Sequence, residues 1–246
     1  MKTEQLFRDY EYLVDEAEEA FHRVAEEHGS CIKCDLHCSD CCHAVFGLFL
    51  IEAAYLREHF EQMKDHAMQE ALDRCERAEK EMEKLQKMLE TFEDDPQMQQ
   101  YTLARERVRC PLLDDQDECV LYHRRPITCR LYGIPTRIQG KARVCGKSGF
   151  KQGEKYPVFD LDAMYRKLYV LSRELVEAAG QEDTEKASLL ISVAKAIRTP
   201  VNDLTREAFE SSGEDKGRAR QGSVESGQTP GDHQNGTNRE GEETSS

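Results

Sequence analysis

The sequence contains no tryptophan, nine phenylalanines and nine tyrosines, and its hydrophobic fraction is only 38% over 246 residues. A core of ordinary density along the whole length is therefore excluded, and part of the chain must be solvated helix surface or disordered tail. Long apolar runs are also missing. The densest stretch, Ala44 to Leu56, is too short to span a bilayer and is broken by Glu52, so no membrane crossing is expected. Met1 to Gln5 offers no apolar signal region, which leads to an expected cytoplasmic location. Positive charge is scarce, with 34 Lys and Arg against 48 Asp and Glu and a net charge of -14. Such a chain is a poor partner for a nucleic acid polyanion. No Ser-His-Asp arrangement, phosphate loop or paired-carboxylate motif stands out. Cys42 and His43 are adjacent and so rarely face one another, and no catalytic residue is assigned.

Cysteine, by contrast, is abundant. Cys31, Cys34, Cys38, Cys41 and Cys42 put five thiols into twelve residues, and Cys110, Cys119, Cys129 and Cys145 follow far downstream. In a reducing compartment these read as metal ligands or redox groups before disulfides. The two-residue gaps Cys31–Cys34 and Cys38–Cys41 let one turn present two sulfurs to one ion, whereas the downstream four must be assembled by the fold. The nine thiols are expected to wall one metal centre or two adjacent ones, holding an iron-sulfur cluster or zinc. Adjacent side chains point apart, so Cys41 and Cys42 are expected to face different centres, or one of them to be spare. His37, His43 and His123 flank the thiols and read more readily as surface residues. Asp35, Asp40 and Asp114 read as loop-orienting groups. Arg109, Arg124, Arg125 and Arg130 lie beside thiolates whose charge they would offset, and Arg130, next to Cys129, is the expected cofactor-contacting cation. Tyr122 and Tyr132 are expected to pack against the cluster loops.

The remaining pattern is helical. Leu6, Tyr10, Leu13, Ala17, Ala20 and Val24 form one apolar stripe over residues 3–27, with Gly29 at the expected stop. A second helix is predicted from near Leu48–Glu52 to about Phe92. Within it Ala71, Cys75, Ala78, Met82, Leu85, Leu89 and Phe92 alternate steps of four and three, as in a coiled-coil or hairpin seam. On that seam Cys75 reads as a small buried apolar residue. The hairpin, about 56–95, is expected to be an arm for another protein, and Pro96 ends it. Residues 109–158 look irregular and dependent on metal crosslinks. Helices are predicted over 161–179, 184–197 and 202–209. The fold class is thus all-α, a helical bundle or hairpin around an irregular cysteine-rich metal-binding region. One domain spans 1–209, and a disordered tail follows over 210–246.

Specific motifs accompany the thiols. Cys38-Ser39-Asp40-Cys41-Cys42 precedes an apolar stretch and Glu52. Arg109-Cys110-Pro111-Leu112-Leu113-Asp114, Cys119-Val120-Leu121-Tyr122 and Arg125-Pro126-Ile127-Thr128-Cys129-Arg130 follow in order. Together they resemble the YkgJ-type cysteine-cluster family of zinc- or iron-chelating domains over roughly Cys31 to Cys145. The resemblance implies a bacterial cytoplasmic protein with a cysteine-bound metal, often iron-sulfur, serving electron transfer or protein modification. A structural zinc protein acting as an interaction module, or a metal store, are the alternatives. Cys31 and Cys34 enrich the usual motif, and the heptad hairpin looks like an insertion.

Overall fold

The computed structural model describes residues 2–34, 37–181 and 184–210. Asp35 and the tail expected from 210 onward lie outside them, apart from Glu210 itself. Eight α-helices occur among the described residues: α1 (Lys2–His28), α2 (Leu50–Phe60), α3 (Asp65–Glu90), α4 (Pro96–Arg105), α5 (Ile127–Leu131), α6 (Leu161–Ala178), α7 (Val193–Arg198) and α8 (Val201–Glu210). None is long and apolar enough to cross a membrane.

The frame is organised around α2. Leu50, Ile51, Glu52, Ala53, Ala54, Tyr55, Leu56 and Phe60 are all buried, so the first two turns of this helix have no solvent face, and Glu58 near its end is the exposed residue. Helices α6, α7 and α8 pack round it, and α1 lies against α5 and α6. On α1 the buried residues are Leu6, Tyr10, Val14, Ala17, Ala20 and Val24. Val14 is buried at the edge of this stripe, while Leu13, nearer its centre, is half-buried and packs against the core.

Two helix expectations are corrected. The long helix predicted to Phe92 is two helices, broken at 61–64 without a glycine or proline. Phe60 is wholly buried in the core, and after the turn α3 packs on α7, which also lies against α2. Ala71, Cys75 and Ala78 are buried as the seam requires, and the Cys75 thiol lies 4.0 Å from the Ala194 carbonyl. Helix α4 meets the far end of α3 through Gln99, whose amide donates to the Leu89 carbonyl at 3.3 Å. The helix predicted over 184–197 is a 3₁₀ turn at Glu185–Ser188, an extended link and then α7. In the link Ile191 exchanges backbone hydrogen bonds of 2.8 and 2.9 Å with Leu48, while Leu189 and Leu190 stay exposed. The Ser192 hydroxyl then caps α7 by accepting from the Lys195 N–H at 3.1 Å.

The molecule is mostly helical, but it also has a small sheet that an all-α reading did not contain. Strands β1 (Thr136–Ile138), β2 (Lys141–Arg143) and β3 (Phe159–Asp160) take the order β2-β1-β3. β1 pairs antiparallel with β2 and parallel with β3. Gln139 (φ 52°) and Gly140 (φ 72°) form the two-residue turn between β1 and β2, the left-handed pair that a tight hairpin needs. The Asp162 carboxylate on α6 accepts from both turn N–H groups, at 3.0 and 3.4 Å.

Candidate metal centre

The chain brings the two cysteine groups together through its backbone. Cys41 and Cys42 sit in a 3₁₀ turn, Asp40–His43. The Cys42 carbonyl accepts from the Cys110 N–H at 2.7 Å, and the His43 carbonyl accepts from the Val108 N–H at 3.1 Å. Ala44 and Arg107 continue this as an antiparallel bridge, as do Leu113 and Cys119 one loop later. The Asp114 carboxylate shapes that loop by accepting from the Gln116 and Glu118 N–H groups, each at 2.9 Å.

Cys129 is carried by α5, whose entry is fixed from below by Glu52. One oxygen of that buried carboxylate accepts from the Ile127 N–H at 3.0 Å and the other from the Phe49 N–H at 3.1 Å. Burial pushes the Glu52 carboxyl up to about 7 despite these donors. A raised folded-state value means that the folded chain holds the proton more tightly than the unfolded chain. The associated stability is full below the ordinary value of 4.5 and is lost as pH rises through about 7. Glu52→Gln is expected to leave one of the two N–H groups facing a donor, costing about 1–3 kcal/mol in denaturant unfolding at pH 5. The gap to wild type should narrow above pH 7, where wild type carries the buried charge and the variant does not titrate.

The outer thiols are held on the other side. Cys34 donates to the Tyr132 carbonyl at 3.2 Å and is packed against Gly133. Cys145 donates to the Asp40 carboxylate at 3.5 Å, and the Cys31 carbonyl accepts from the Gly149 N–H at 2.7 Å. Asp40 is a hub: it also takes Arg107 at 2.7 Å, the Tyr132 hydroxyl at 3.0 Å and Lys147 at 3.4 Å. Although burial opposes it, the Tyr132 hydroxyl and the Arg107 guanidinium hold its carboxyl below the usual carboxylate range.

Cys34, Cys38, Cys41, Cys42, Cys110, Cys119 and Cys129 all line one cavity of about 490 Å³. Cys31 and Cys145 stand outside its wall, and Cys75 belongs to the α3–α7 seam. The Cys41 and Cys42 sulfurs are 4.0 Å apart, so these adjacent side chains do not point apart. The tight 3₁₀ turn sets them side by side, close to the separation of about 3.8 Å between two sulfurs on a tetrahedral zinc with bonds of about 2.3 Å. Cys41, Cys42 and Cys129 are linked through shared thiol protons, and with Arg125 adding positive charge Cys41 is pushed down while Cys42 and Cys129 are pushed up. Burial and the neighbouring thiols push Cys34 and Cys110 up to about 12, and burial pushes Cys119 to about 11.

Three downstream sulfurs share a further feature that the spacing did not reveal. Cys110 accepts from the Leu112 N–H, Cys119 from the Leu121 N–H and Cys145 from the Lys147 N–H. A backbone donor two residues on is aimed at an acceptor most avid as a thiolate, the form that binds metal. Among the described residues no three His, Cys, Asp or Glu side chains converge on a single ion. The thiols ring a space instead. A soft, thiol-rich and N–H-supported donor set of this kind fits zinc or iron.

The arginines divide differently from the expectation. Arg130 is buried but spends its donors elsewhere: Nε on the Arg125 carbonyl at 2.8 Å, Nη2 on the His123 carbonyl at 2.7 Å and Nη1 on Glu18 of α1. It borders the cavity and anchors α5, with those donors on oxygen. Arg125, stacked 3.9 Å over the Tyr122 ring, is the cation whose charge reaches Cys41 and Cys119. His43 engages the Ser39 carbonyl through Nδ1 at 3.0 Å, and His37 is exposed beside Gln116 and Glu118.

The family model CxxCxxCC, putative zinc- or iron-chelating domain, matches residues 30–146. Over residues 30–146 the chain is therefore similar to that family. The CxxCxxCC match begins just before Cys31 and ends just after Cys145, so it takes in all nine thiols, Asp40, Glu52 and the Arg125–Arg130 segment. Cys31 and Cys34, read as additions to the motif, fall inside it, and so does α3. The CxxCxxCC assignment supports cysteine-ligated metal binding. No curated protein and no solved structure matches the chain.

Proposed function

We propose that residues 30–146 hold an iron-sulfur cluster on cysteine thiolates, in the service of electron transfer or of protein side-chain modification. The observation that carries this reading is seven thiols, from both cysteine groups, set around one cavity of about 490 Å³. They stand apart as ligands of a multi-atom cluster do, rather than closing on a point. Cys41, Cys42, Cys110, Cys119 and Cys129 form the inner ligand set, and Cys31, Cys34, Cys38 and Cys145 the outer one. When bound, such a cluster supplies one-electron chemistry. The chain's own part is to fix the sulfurs through the Leu112, Leu121 and Lys147 N–H groups and to offset their charge with Arg125. Protein purified without oxygen is expected to be brown, with visible sulfur-to-iron absorption and matching iron and sulfide contents. A colourless protein carrying stoichiometric zinc would sink the reading.

The Cys41–Cys42 separation of 4.0 Å favours a second reading, in which zinc is bound. A structural zinc would exchange with chelators only as the chain unfolds. A storage or delivery protein would exchange quickly.

A further inference from the structure

Arg74 lies on α3, one residue before Cys75, and its guanidinium reaches the Cys110 loop. Nε donates to the Pro111 carbonyl at 2.8 Å. Nη2 is buried and finds no acceptor within the protein, and among the described residues it is the one buried side-chain nitrogen or oxygen so placed. It borders a small space of about 10 Å³ shared with Arg77, Ala78, Glu81, Arg109 and Cys110. Arg77 and Arg109 are donors only, and Arg109 is already engaged with the Asp114 carbonyl and Asp117. Ala78 has no polar side chain. Glu81 borders the same space but lies seven residues further along the helix, about 10 Å in rise, and accepts no hydrogen bond from Nη2. The acceptor that remains is the Cys110 sulfur, whose capacity to accept rises when its proton is replaced by a metal ion.

We propose that Arg74 is a positioning residue for the centre, giving its free Nη2–H to the Cys110 sulfur across this space once that sulfur is a metal-bound thiolate. The inference rests on the reading of Cys110 as a ligand. Loading the site releases the Cys110 proton to solvent and leaves a sulfur whose negative charge faces a guanidinium that does not deprotonate. Arg74 thereby couples α3 to the metal, and the Pro111 carbonyl keeps the guanidinium in register with the loop.

Cobalt(II) titration of the full chain without oxygen tests this, with affinity read by chelator competition and the sulfur environment by the thiolate-to-cobalt charge-transfer band. Arg74→Met and Arg74→Gln are expected to bind about 10- to 100-fold more weakly than wild type. Their band should move to lower energy, because the sulfur lone pairs lose a donor. Arg74→Lys, which keeps a cationic donor, should recover at least half of that movement, and the exposed Lys84→Met should match wild type. If the methionine variant does not fold, the glutamine variant carries the same expectation. Wild-type affinity and an unmoved band in the folded variants overturn the inference, as do equal band shifts in the lysine and methionine variants, which would indicate lost packing alone. A wild-type protein with no thiolate band, or a Cys110→Ser spectrum identical to wild type, overturns the ligand reading instead.

Discussion

Cys41→Ser is expected to abolish stoichiometric metal retention, while Cys75→Ser keeps the metal. Cys41 lies 4.0 Å from Cys42, hydrogen bonding with Cys42 and Cys129 pushes its thiol down, and Arg125 lends positive charge, which favours its thiolate form. A serine oxygen is a harder, weaker donor to zinc or iron than a thiolate. A structural thiolate site contributes roughly 10–16 kcal/mol on binding, so losing one of four donors removes about a quarter of it, on the order of 100-fold in affinity. Cys75 is fully buried in the seam with α7 and lines no part of the thiol cavity. Metal per chain after anaerobic purification separates the two variants. Hydrogen exchange adds a regional signature. Residues 139–157 are mostly exposed and are tied down by the Cys145–Asp40 and Cys31–Gly149 contacts, so their amides should open on metal loss before those of α1, α2 and α6. Equal metal content in Cys41→Ser and wild type would remove the inner set as written.

What was legible in the sequence was whatever depends on local spacing. The stripe of α1, the burial of Cys75 and the meeting of the two cysteine groups all follow from periodicity or from the chemistry of thiols. What was not legible depends on which neighbour an element finds. The seam of α3 reads as half of a hairpin, yet its partner α7 lies more than a hundred residues downstream. The break after Phe60 carries no helix-breaking residue, because tertiary packing rather than propensity imposes it. The loop from Arg109 to Val158 looked too poor in apolar residues to hold itself together. In fact Leu112, Leu121, Ile127, Leu131 and Ile134 are buried in the shared core, and Phe150 packs against it. Arg130 shows what adjacency leaves out: its place next to Cys129 suggested a contact with the cofactor, and the fold also ties it to two carbonyl oxygens and to Glu18 of α1.

Gly133→Ala should be among the most damaging single-methyl additions in this chain. Gly133 has φ of 120°, a conformation that side-chain-bearing residues rarely adopt, and a Cβ there would lie 2.3 Å from the Cys34 sulfur. That sulfur has little room to retreat. It is bonded to the Tyr132 carbonyl at 3.2 Å, and the Phe21 ring of α1 stands 3.8 Å from the same Cβ position. Backbone strain of about 1–3 kcal/mol and overpacking of about 1–3 kcal/mol together predict a loss of roughly 2–6 kcal/mol in chemical unfolding. The two contributions separate in a double-mutant cycle. In a Cys34→Ala background the clash disappears and only the strain remains, so the cost of Gly133→Ala should fall by about 1–3 kcal/mol. Metal content divides them again. If Cys34 is a ligand of the outer set, Gly133→Ala and Cys34→Ala lower it alike, although only the first is severely destabilised. The same cost in both backgrounds would show that the sulfur is not what Gly133 makes room for.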